Sequence, residues 1–487
     1  MGSVVTLPLW LLIFIAILAL WAALERLLIP SARWILRRRV NRVLEELNTT
    51  LKIRIPPFKL TKRAVLIDRL AFDPAVQEAA AAQSRESETP LAAVMKQVSR
   101  DAREIVPGFN AYAYFRVGYA LARNFARSIY RVRLGYSDEE GLSDIGNNAT
   151  VVFLINHRSN MDYILVAYLA AERTAISYAV GEWARVWPLQ MLIRAMGAYF
   201  VRRNSGDPLY RKVLERYVAM ATAGGVTQAV FPEGGLSRNG NLRPPKLGIL
   251  DYMLRSFDPA GPRDIAFIPV GINYDRVFED RSFLLELQSP RKRPGFLRAA
   301  VRTARFIARN GLLLASNRWH RFGYACVNFG SPVSLARYIR ERGVDFRGLD
   351  KTDRFAKVEE FARTLMAAIA KVIPVVPVPL VATVFVREPE RSWSELELKA
   401  EVFALMEQLR QCGALLYLPR EDQDYAIDVG LRMLTLRHLV AEGEGLYRPV
   451  SRELPLLTYY ANSIAHLFPA AAGQSAPSGV RSARDRG

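Results

Sequence analysis

The pattern that most constrains the fold begins at Ala149, where short apolar runs alternate with stretches of helical periodicity. The runs are four to six residues long, which suits buried strands rather than helices. We predict strands at Val151–Ile155, Ala175–Val180, Ala198–Val201, Thr227–Phe231, Ile265–Val270 and Ala325–Phe329. The connecting segments, such as Pro208–Thr222, have the spacing of amphipathic helices. This alternation favours an α/β fold, a mixed sheet covered by helices, which we place at residues 140–345.

A polar turn follows the first predicted strand and contains a His-x4-Asp pair, His157 and Asp162. A helix is predicted at Tyr163–Ala171, and Ser159 or Asn160 can cap it. Such a turn can bring Asp162 back against the imidazole. A carboxylate on one ring nitrogen fixes the tautomer and leaves the other nitrogen free to accept a proton. Alone, the spacing fits a capped turn with a structural histidine equally well.

Three further stretches follow in order: Gly197–Arg203, Phe231–Gly240 and Ile268–Ile272. Together with Asn156–Asp162 they resemble the four motif blocks of the glycerolipid acyltransferases. The sequences Gly-Ala-x-Phe-x-Arg-Arg and Glu-Gly-Gly-x-Ser-Arg resemble the glycerol-3-phosphate acyltransferase branch in particular. The segment Leu456–Leu467 is similar to a C-terminal segment of the same branch. The resemblance therefore extends from about Leu66 to Leu467.

This resemblance implies transfer of a fatty acyl group from acyl-CoA or acyl carrier protein to the 1-hydroxyl of glycerol 3-phosphate. It implies that His157 is the general base and that Asp162 orients it. The attacking nucleophile is then the acceptor hydroxyl, so the reaction implies no metal and no bound cofactor. Leu236 stands where this branch often has arginine. Lysophosphatidate and dihydroxyacetone phosphate therefore remain open as alternative acceptors.

Adjacent side chains of a strand point to opposite faces, so only one of Arg202 and Arg203 can face the site. The resemblance favours Arg203 as the phosphate ligand, which leaves Arg202 as an ion-pair partner or a secondary contact. Pro269 is assigned to the acyl-donor side, and a proline in a strand needs an edge or a bulge. The remaining predicted substrate-binding residues are Arg158, Glu233, Gly234, Gly235, Ser237, Arg238 and Lys246.

In this set, Glu233 is expected to bind the glycerol hydroxyls or to brace the basic residues. Ser237, Arg238 and Lys246 are candidates for contact with the phosphate. Gly234 and Gly235 allow the backbone to approach a ligand closely or to adopt positive φ. An ordinary turn with an ion pair is the simpler interpretation of this block when it is taken alone.

The N-terminal residues 1–30 are predicted to anchor the chain, because Val4–Leu24 has no charged residue and is long enough to span a bilayer. Arginines follow this stretch, so the positive-inside rule places the catalytic domain in the cytoplasm, on a single-pass anchor in the inner membrane. Residues 31–139 are predicted to be helical, with helices at Ala75–Ala82, Pro90–Ile105 and Tyr112–Gly135. Leu51–Pro74 is interpreted as a connector.

The C-terminal residues 346–468 are predicted to be helical, and residues 469–487 to form a disordered tail. Ser394-x-x-Glu397 is typical of a capping box. Val372–Val386 is almost wholly apolar, but its three prolines make a second membrane span doubtful. Neither the histidines His320, His438 and His466 nor the cysteines Cys326 and Cys412 have metal-ligand spacing.

The formal net charge of +20 favours an acidic partner. The basic segments Tyr112–Gly135 and Ser289–Asn310 suit either solvent or anionic membrane lipids. Nucleic acid is not expected, because the basic residues are not interleaved with base-stacking aromatics in a recognisable module. A non-enzymatic polybasic membrane-binding protein remains the alternative from another class.

Overall fold

A computed structural model describes residues 55–146, 148–170, 174–181, 189–202, 205–288 and 322–468. The predicted anchor at Val4–Leu24, the residue Arg203, the basic segment Ser289–Asn310 and the tail 469–487 lie outside the described residues. Within the described ranges, every helix is too short or too polar to cross a bilayer.

The described chain contains helices in three groups: before the sheet, between its strands and after it. They are α1 Pro57–Leu60, α2 Arg63–Ala71, α3 Pro74–Glu86, α4 Leu91–Ile105, α5 Tyr119–Ile129, α6 Glu139–Ser143, α7 Met161–Ala170, α8 Leu189–Ala195, α9 Pro208–Ala223, α10 Gly248–Leu254, α11 Asp280–Gln288, α12 Leu335–Arg342, α13 Lys351–Val372, α14 Pro377–Arg387, α15 Glu395–Gln411, α16 Gln423–Leu436 and α17 Leu454–Asn462. A π-helical stretch, Ala113–Gly118, leads directly into α5.

The strands form two sheets. They are β1 Arg131–Ser137, β2 Thr150–Ile155, β3 Ser177–Gly181, β4 Tyr199–Val201, β5 Gln228–Val230, β6 Ile265–Tyr274, β7 Tyr324–Phe329, β8 Val333–Ser334, β9 Trp393–Ser394, β10 Val440–Gly443 and β11 Leu446–Pro449. The main sheet has the order β1-β7-β6-β2-β5-β3-β4, with β8 also paired to β6. Strand β7 is antiparallel to β6, whereas β6, β2, β5, β3 and β4 are parallel. All six predicted strands are present, and the predicted mixed α/β sheet is confirmed.

The prediction of one helix over Tyr112–Gly135 is wrong at its C-terminal end. The helix stops at Ile129, and residues from Arg131 onward form the edge strand β1. Side chains of β1 are mostly exposed, so its alternating arginines resemble one face of a basic helix. The strand forms because Arg131 pairs with Tyr324 of β7, almost two hundred residues away. The local sequence gives no indication of this pairing.

Two other regions also differ from the predictions. The presumed connector Leu51–Pro74 contains α1 and α2, and Leu66 and Leu70 of α2 are buried in the core. The C-terminal region is mostly helical, but β9, β10 and β11 form a small antiparallel sheet within it. The predicted capping box at Ser394 and Glu397 is confirmed at the start of α15.

Pro269 lies in the middle of the long strand β6, which is not an edge strand of the sheet. On one side β6 pairs with β2 throughout Ile265–Val270. On the other side β8 pairs with Ala266 and Phe267, and β7 begins at Val270. The carbonyl of Pro269 accepts a hydrogen bond from Gly330 N (2.9 Å), so the proline nitrogen faces the same side, where the pairing with β7 ends. The missing N–H therefore falls at the end of that ladder rather than within it, which is the local edge expected for a proline in a strand.

The apolar stretch Val372–Val386 contributes the buried helix α14, whose first residue is Pro377. Proline suits that position because its missing N–H would have no partner there. The helix packs in the same core as the face of the main sheet that carries α7. The buried carboxylate of Asp275 accepts hydrogen bonds from Val378 N (3.0 Å) and from Tyr324 N (2.7 Å). One side chain thus joins the start of α14 to the end of β6.

Burial raises the pKa of Asp275 to about 7, although two backbone N–H groups oppose the shift. The folded state therefore holds a proton that the unfolded state loses near pH 4, so this group's contribution to stability is lost as pH rises toward 7. We expect the stability advantage of wild type over Asp275→Asn to shrink by about 2–4 kcal/mol between pH 4 and pH 8. Chemical unfolding followed by circular dichroism measures it, and a constant difference would contradict the assignment.

Candidate active site

The His-x4-Asp turn begins where β2 ends, at the carboxyl edge of the parallel strands. Asn156 fixes the turn to the neighbouring strand β6. Its side-chain oxygen accepts from Ile272 N (2.7 Å), and its side-chain nitrogen donates to Ile272 O (2.9 Å). These two bonds extend the sheet pairing by one side chain, so the direction in which His157 leaves the strand is determined by the sheet.

The structure brings His157 and Asp162 together, with Nδ1 2.9 Å from Oδ2. The same carboxylate oxygen accepts from the backbone N–H groups of Arg158 (2.7 Å) and Ser159 (3.0 Å). The hydroxyl of Tyr274 donates to the other oxygen, Oδ1. A carboxylate only accepts hydrogen bonds, so beside ionised Asp162 it is Nδ1–H of His157 that donates to Oδ2. The neutral imidazole then has its lone pair on Nε2, where a base must have it.

The ring of His157 is only 2% exposed and is held on two sides by aromatic rings. Phe231, which follows β5, lies 4.1 Å from it between centroids at an interplanar angle of 31°. Tyr163 of α7 meets it edge-on at 5.4 Å. These contacts fix the ring plane and exclude water, so a proton acceptor at Nε2 is preorganised in a site of low polarity.

Glu233 of the third motif braces the turn. Its two carboxylate oxygens accept from His157 N (2.8 Å) and from Arg243 N (3.0 Å), and the side chain is buried. Burial raises the pKa of Glu233, whereas the bond from His157 N opposes the shift. Ser237 N donates in turn to the carbonyl of His157 (2.8 Å). The first and third motifs are thus joined by hydrogen bonds to both backbone groups of His157.

Gly234 has φ of +65°, a left-handed conformation that glycine adopts without strain. A Cβ at this position would lie 2.6 Å from Cγ of Lys246, so glycine also provides space for the stem of that lysine. Lys246 N donates to Pro232 O (2.7 Å), which joins the exposed lysine to the third motif. The buried neighbour Gly235 continues the same close turn.

Arg158 is buried, and its guanidinium donates to the carbonyls of Gly240 and Ser463 (3.1 Å for Ser463). The side chain therefore ties the active-site turn to the third motif and to the C-terminal segment. Of the two roles open to Arg158, phosphate contact and bracing of the turn, these contacts correspond to bracing. Gly240 itself has φ of +87°, and a Cβ there would collide with the carbonyl of Tyr459.

The other residues predicted to contact the phosphate each have a different partner in the structure. The Ser237 hydroxyl donates to Asn241 O (2.6 Å), whereas Arg238 forms an exposed ion pair with Glu286 (3.2 Å). Arg202 pairs with Asp101 (3.0 Å) and Glu104 (2.6 Å), which is the ion-pair role considered from the sequence. Strand β4 is three strands from β2, or about 14 Å, so Arg202 lies away from the imidazole.

Two residues near the imidazole had no role assigned from the sequence, Tyr274 and Glu279. Tyr274 ends β6 beside β2, and a hydroxyl at the end of an apolar strand was the signal in the sequence that could have identified it. Glu279 accepts from the Ser159 hydroxyl (2.7 Å) and from Asn160 N (3.1 Å). Burial raises the pKa of Glu279, and hydrogen bonding to Ser159 opposes the shift. The Ser159 hydroxyl also accepts from Met161 N (3.1 Å), which caps α7 as predicted.

No group of three or more His, Cys, Asp or Glu side chains with the geometry of a metal site is present in the part of the chain that the structure describes. The titratable pair that the structure places at this edge is the imidazole of His157 with the carboxylate of Asp162. A hydroxyl placed at Nε2 would become a nucleophile there.

Comparison with known proteins gives the class of this site. Residues 137–273 match the family model described as Acyltransferase, so this part of the chain is an acyltransferase domain. Residues 310–474 match the model of the glycerol-3-phosphate acyltransferase C-terminal region. The chain thus contains, in this order, matches to an acyltransferase domain and to the C-terminal region of glycerol-3-phosphate acyltransferases.

Individual proteins named glycerol-3-phosphate acyltransferase are similar to this chain over most of its length. The glycerol-3-phosphate acyltransferase of Xylella fastidiosa strain M23 is 26% identical over 458 residues, which are 89% of this chain and 50% of the relative. The enzyme of that name from Pseudomonas fluorescens strain SBW25 is 29% identical over 92% of this chain and 54% of its own length. The chain thus spans about half the length of these curated relatives.

A solved structure, the 1-acyl-sn-glycerophosphate acyltransferase of Thermotoga maritima, is 18% identical and covers 52% of this chain and 78% of its own. The TM-score of 0.30 is too low to support any statement about the fold.

Proposed function

We propose that the chain is a membrane-bound enzyme that transfers a fatty acyl group to the 1-hydroxyl of glycerol 3-phosphate, giving lysophosphatidate. The donor is acyl-CoA or acyl carrier protein, and no cofactor or metal takes part. The observation that most supports this is the 2.9 Å bond between His157 Nδ1 and Asp162 at the carboxyl edge of the sheet. The name of the relatives supports the choice of acceptor.

In the proposed reaction, Nε2 of His157 removes the proton of the acceptor hydroxyl as its oxygen attacks the thioester carbonyl. A carbon–oxygen bond forms and gives a tetrahedral intermediate. The carbon–sulfur bond then breaks, and the departing thiolate takes the proton from the imidazolium. Asp162 holds Nδ1–H throughout and stabilises the transient positive charge on the ring. The reaction balances without an enzyme nucleophile, an oxidant or a reductant.

For the phosphate of the acceptor we propose Arg203, Lys246 and Arg238. Lys246 and Arg238 are exposed cations on the loop that also braces His157, which supports them. A guanidinium suits a phosphate because it donates two parallel hydrogen bonds and stays charged. Pro269 is assigned to the acyl-donor side. In the proposed setting, the catalytic domain faces the cytoplasm on a single-pass anchor in the inner membrane.

The acceptor assignment predicts a large preference. With palmitoyl-CoA as donor, we expect kcat/KM for glycerol 3-phosphate to exceed that for lysophosphatidate or dihydroxyacetone phosphate by at least about 10-fold, since a site built for particular hydroxyls rejects analogues that leave its polar groups unpaired. Labelled acceptors incubated with membranes containing the full chain measure it. Membranes from the same host without the chain supply the blank, and acyl carrier protein is tested as a second donor.

Preference for lysophosphatidate or dihydroxyacetone phosphate would replace the proposed acceptor and leave the chemistry in place. Inactivity with every pair of donor and acceptor would remove the acyltransferase assignment. A protein that bound anionic membranes without any transfer would then favour the non-enzymatic alternative.

A further inference from the structure

Helix α5 and the π-helical stretch before it have two apolar faces. Ala122, Ala126 and their neighbour Ile129 are buried against the domain. Val117, Leu121 and Phe125 follow one another at intervals of four residues, so they share a second face. Their side chains are 43%, 54% and 47% exposed. A run of three large apolar side chains this exposed on one helix face is typical of a contact surface.

The charged residues in the segment that carries this face are all positive. Residues 112–137 contain five arginines and no aspartate or glutamate. Arg116, Arg123 and Arg127 are exposed on the same helix, to one side of the apolar face. Their long stems can lie along an apolar surface while the guanidinium groups reach outward. An apolar stripe beside arginines alone matches an anionic bilayer surface, which offers hydrocarbon below a layer of negative headgroups.

The position of α5 in the fold places this surface near the sheet edge that carries His157. Strand β1 follows α5, is parallel to β7 and is therefore antiparallel to β6. The first residue of β1, Arg131, pairs with Tyr324, next to the residue that pairs with Tyr274. Helix α5 thus ends at the edge of the sheet where His157 lies. Tyr130, which links α5 to β1, packs its ring 5.3 Å from that of Tyr274, the donor to Asp162.

We propose that the face formed by Val117, Leu121 and Phe125 docks on an anionic lipid bilayer, with Arg116, Arg123 and Arg127 against the headgroups. Docking in this way orients the carboxyl edge of the sheet toward the membrane surface, where acyl-CoA and lysophosphatidate partition. That consequence for catalysis rests on the proposed function, whereas the docking itself does not. The surface is separate from the predicted N-terminal anchor, so it sets orientation rather than attachment.

The test places a fluorescent probe on the face of the full-length chain in vesicles. In a Cys412→Ser background, Leu121→Cys is labelled with an environment-sensitive nitrobenzoxadiazole dye, because the other cysteine, Cys326, is buried. Leu396→Cys serves as the matched control, since Leu396 is 80% exposed and stands between two glutamates. Both proteins are reconstituted in phosphatidylglycerol-containing vesicles and in pure phosphatidylcholine vesicles, with spin-labelled lipids as quenchers.

We expect the dye at position 121 to fluoresce at least about twice as strongly in anionic vesicles as in neutral ones and to be quenched by spin-labelled lipid. The dye at position 396 should show neither effect. Adding Arg116→Gln and Arg123→Gln should remove most of the gain. If position 121 is no better quenched than position 396, or is quenched equally in neutral lipid, the proposal is wrong. Because the readout does not depend on acyl transfer, an inactive enzyme would not affect this result.

Discussion

Replacing His157 by asparagine is expected to lower kcat for acyl transfer by about 100- to 10,000-fold, the usual contribution of a general base. Asparagine keeps a donor for Asp162 but has no atom that can accept a proton at the position of Nε2. The acceptor hydroxyl then has to attack without losing its proton. Transfer from palmitoyl-CoA to labelled glycerol 3-phosphate, measured at saturating substrate, reports the loss.

The same substitution at a second histidine provides the control. His438 is exposed and has a positive φ that asparagine tolerates, so His438→Asn should retain wild-type kcat. Circular dichroism of both variants shows whether the loss comes from chemistry rather than from unfolding. A His157→Asn enzyme that is folded and keeps more than a tenth of wild-type kcat would assign proton removal to another group.

The parts of the fold that could be predicted are those set by local patterns. Strand β2 and the turn after it are recognisable because a short buried run ends abruptly in polar residues. The approach of Asp162 to His157 spans only five positions and is stabilised by backbone bonds within the turn itself. The capping box at Ser394 is equally local. Each of these features can be recognised from residues that are close together in the sequence.

The roles that sequence left open are decided by distant partners. Arg158 could contact the phosphate or brace the turn, and its guanidinium donates to Ser463, more than three hundred residues away. Glu233 was expected to bind the glycerol hydroxyls or to brace the basic residues, whereas its carboxylate accepts from the backbone N–H of His157. Tyr274 reaches Asp162 only because β6 pairs with β2. Sheet order decides which strand ends meet, and single-sequence periodicity contains no information on that order.

The C-terminal region is attached to the active-site edge by a buried network of charges. Arg437, which follows α16, donates to Asp280 (2.5 Å) and to the Tyr460 hydroxyl (2.9 Å). The same hydroxyl donates to Asp280 (2.5 Å). Asp280 begins α11 directly after Glu279, which holds the residues Ser159 and Asn160 of the active-site turn. The position of the turn therefore depends on an arginine that lies far away in sequence.

We expect Arg437→Met to lower the free energy of unfolding by about 3–5 kcal/mol, because it leaves the buried carboxylate of Asp280 without its cation. Methionine keeps most of the apolar stem, so lost packing contributes little. Activity should fall as well, since the segment that holds Glu279 is released. Urea unfolding followed by circular dichroism measures the first effect, and the transfer assay measures the second.

Two further variants show whether the lost stability comes from the unpaired charge of Asp280 or from the removal of an arginine side chain in general. Arg363→Met removes an exposed arginine from a helical ion pair with Glu359 and should leave the unfolding midpoint close to that of wild type. Adding Asp280→Asn to Arg437→Met should restore part of the lost stability, because the buried charge left behind is then removed as well. If the single and double variants are equally unstable, the penalty comes from packing. An Arg437→Met protein as stable as Arg363→Met would show that the network does not hold the C-terminal region in place.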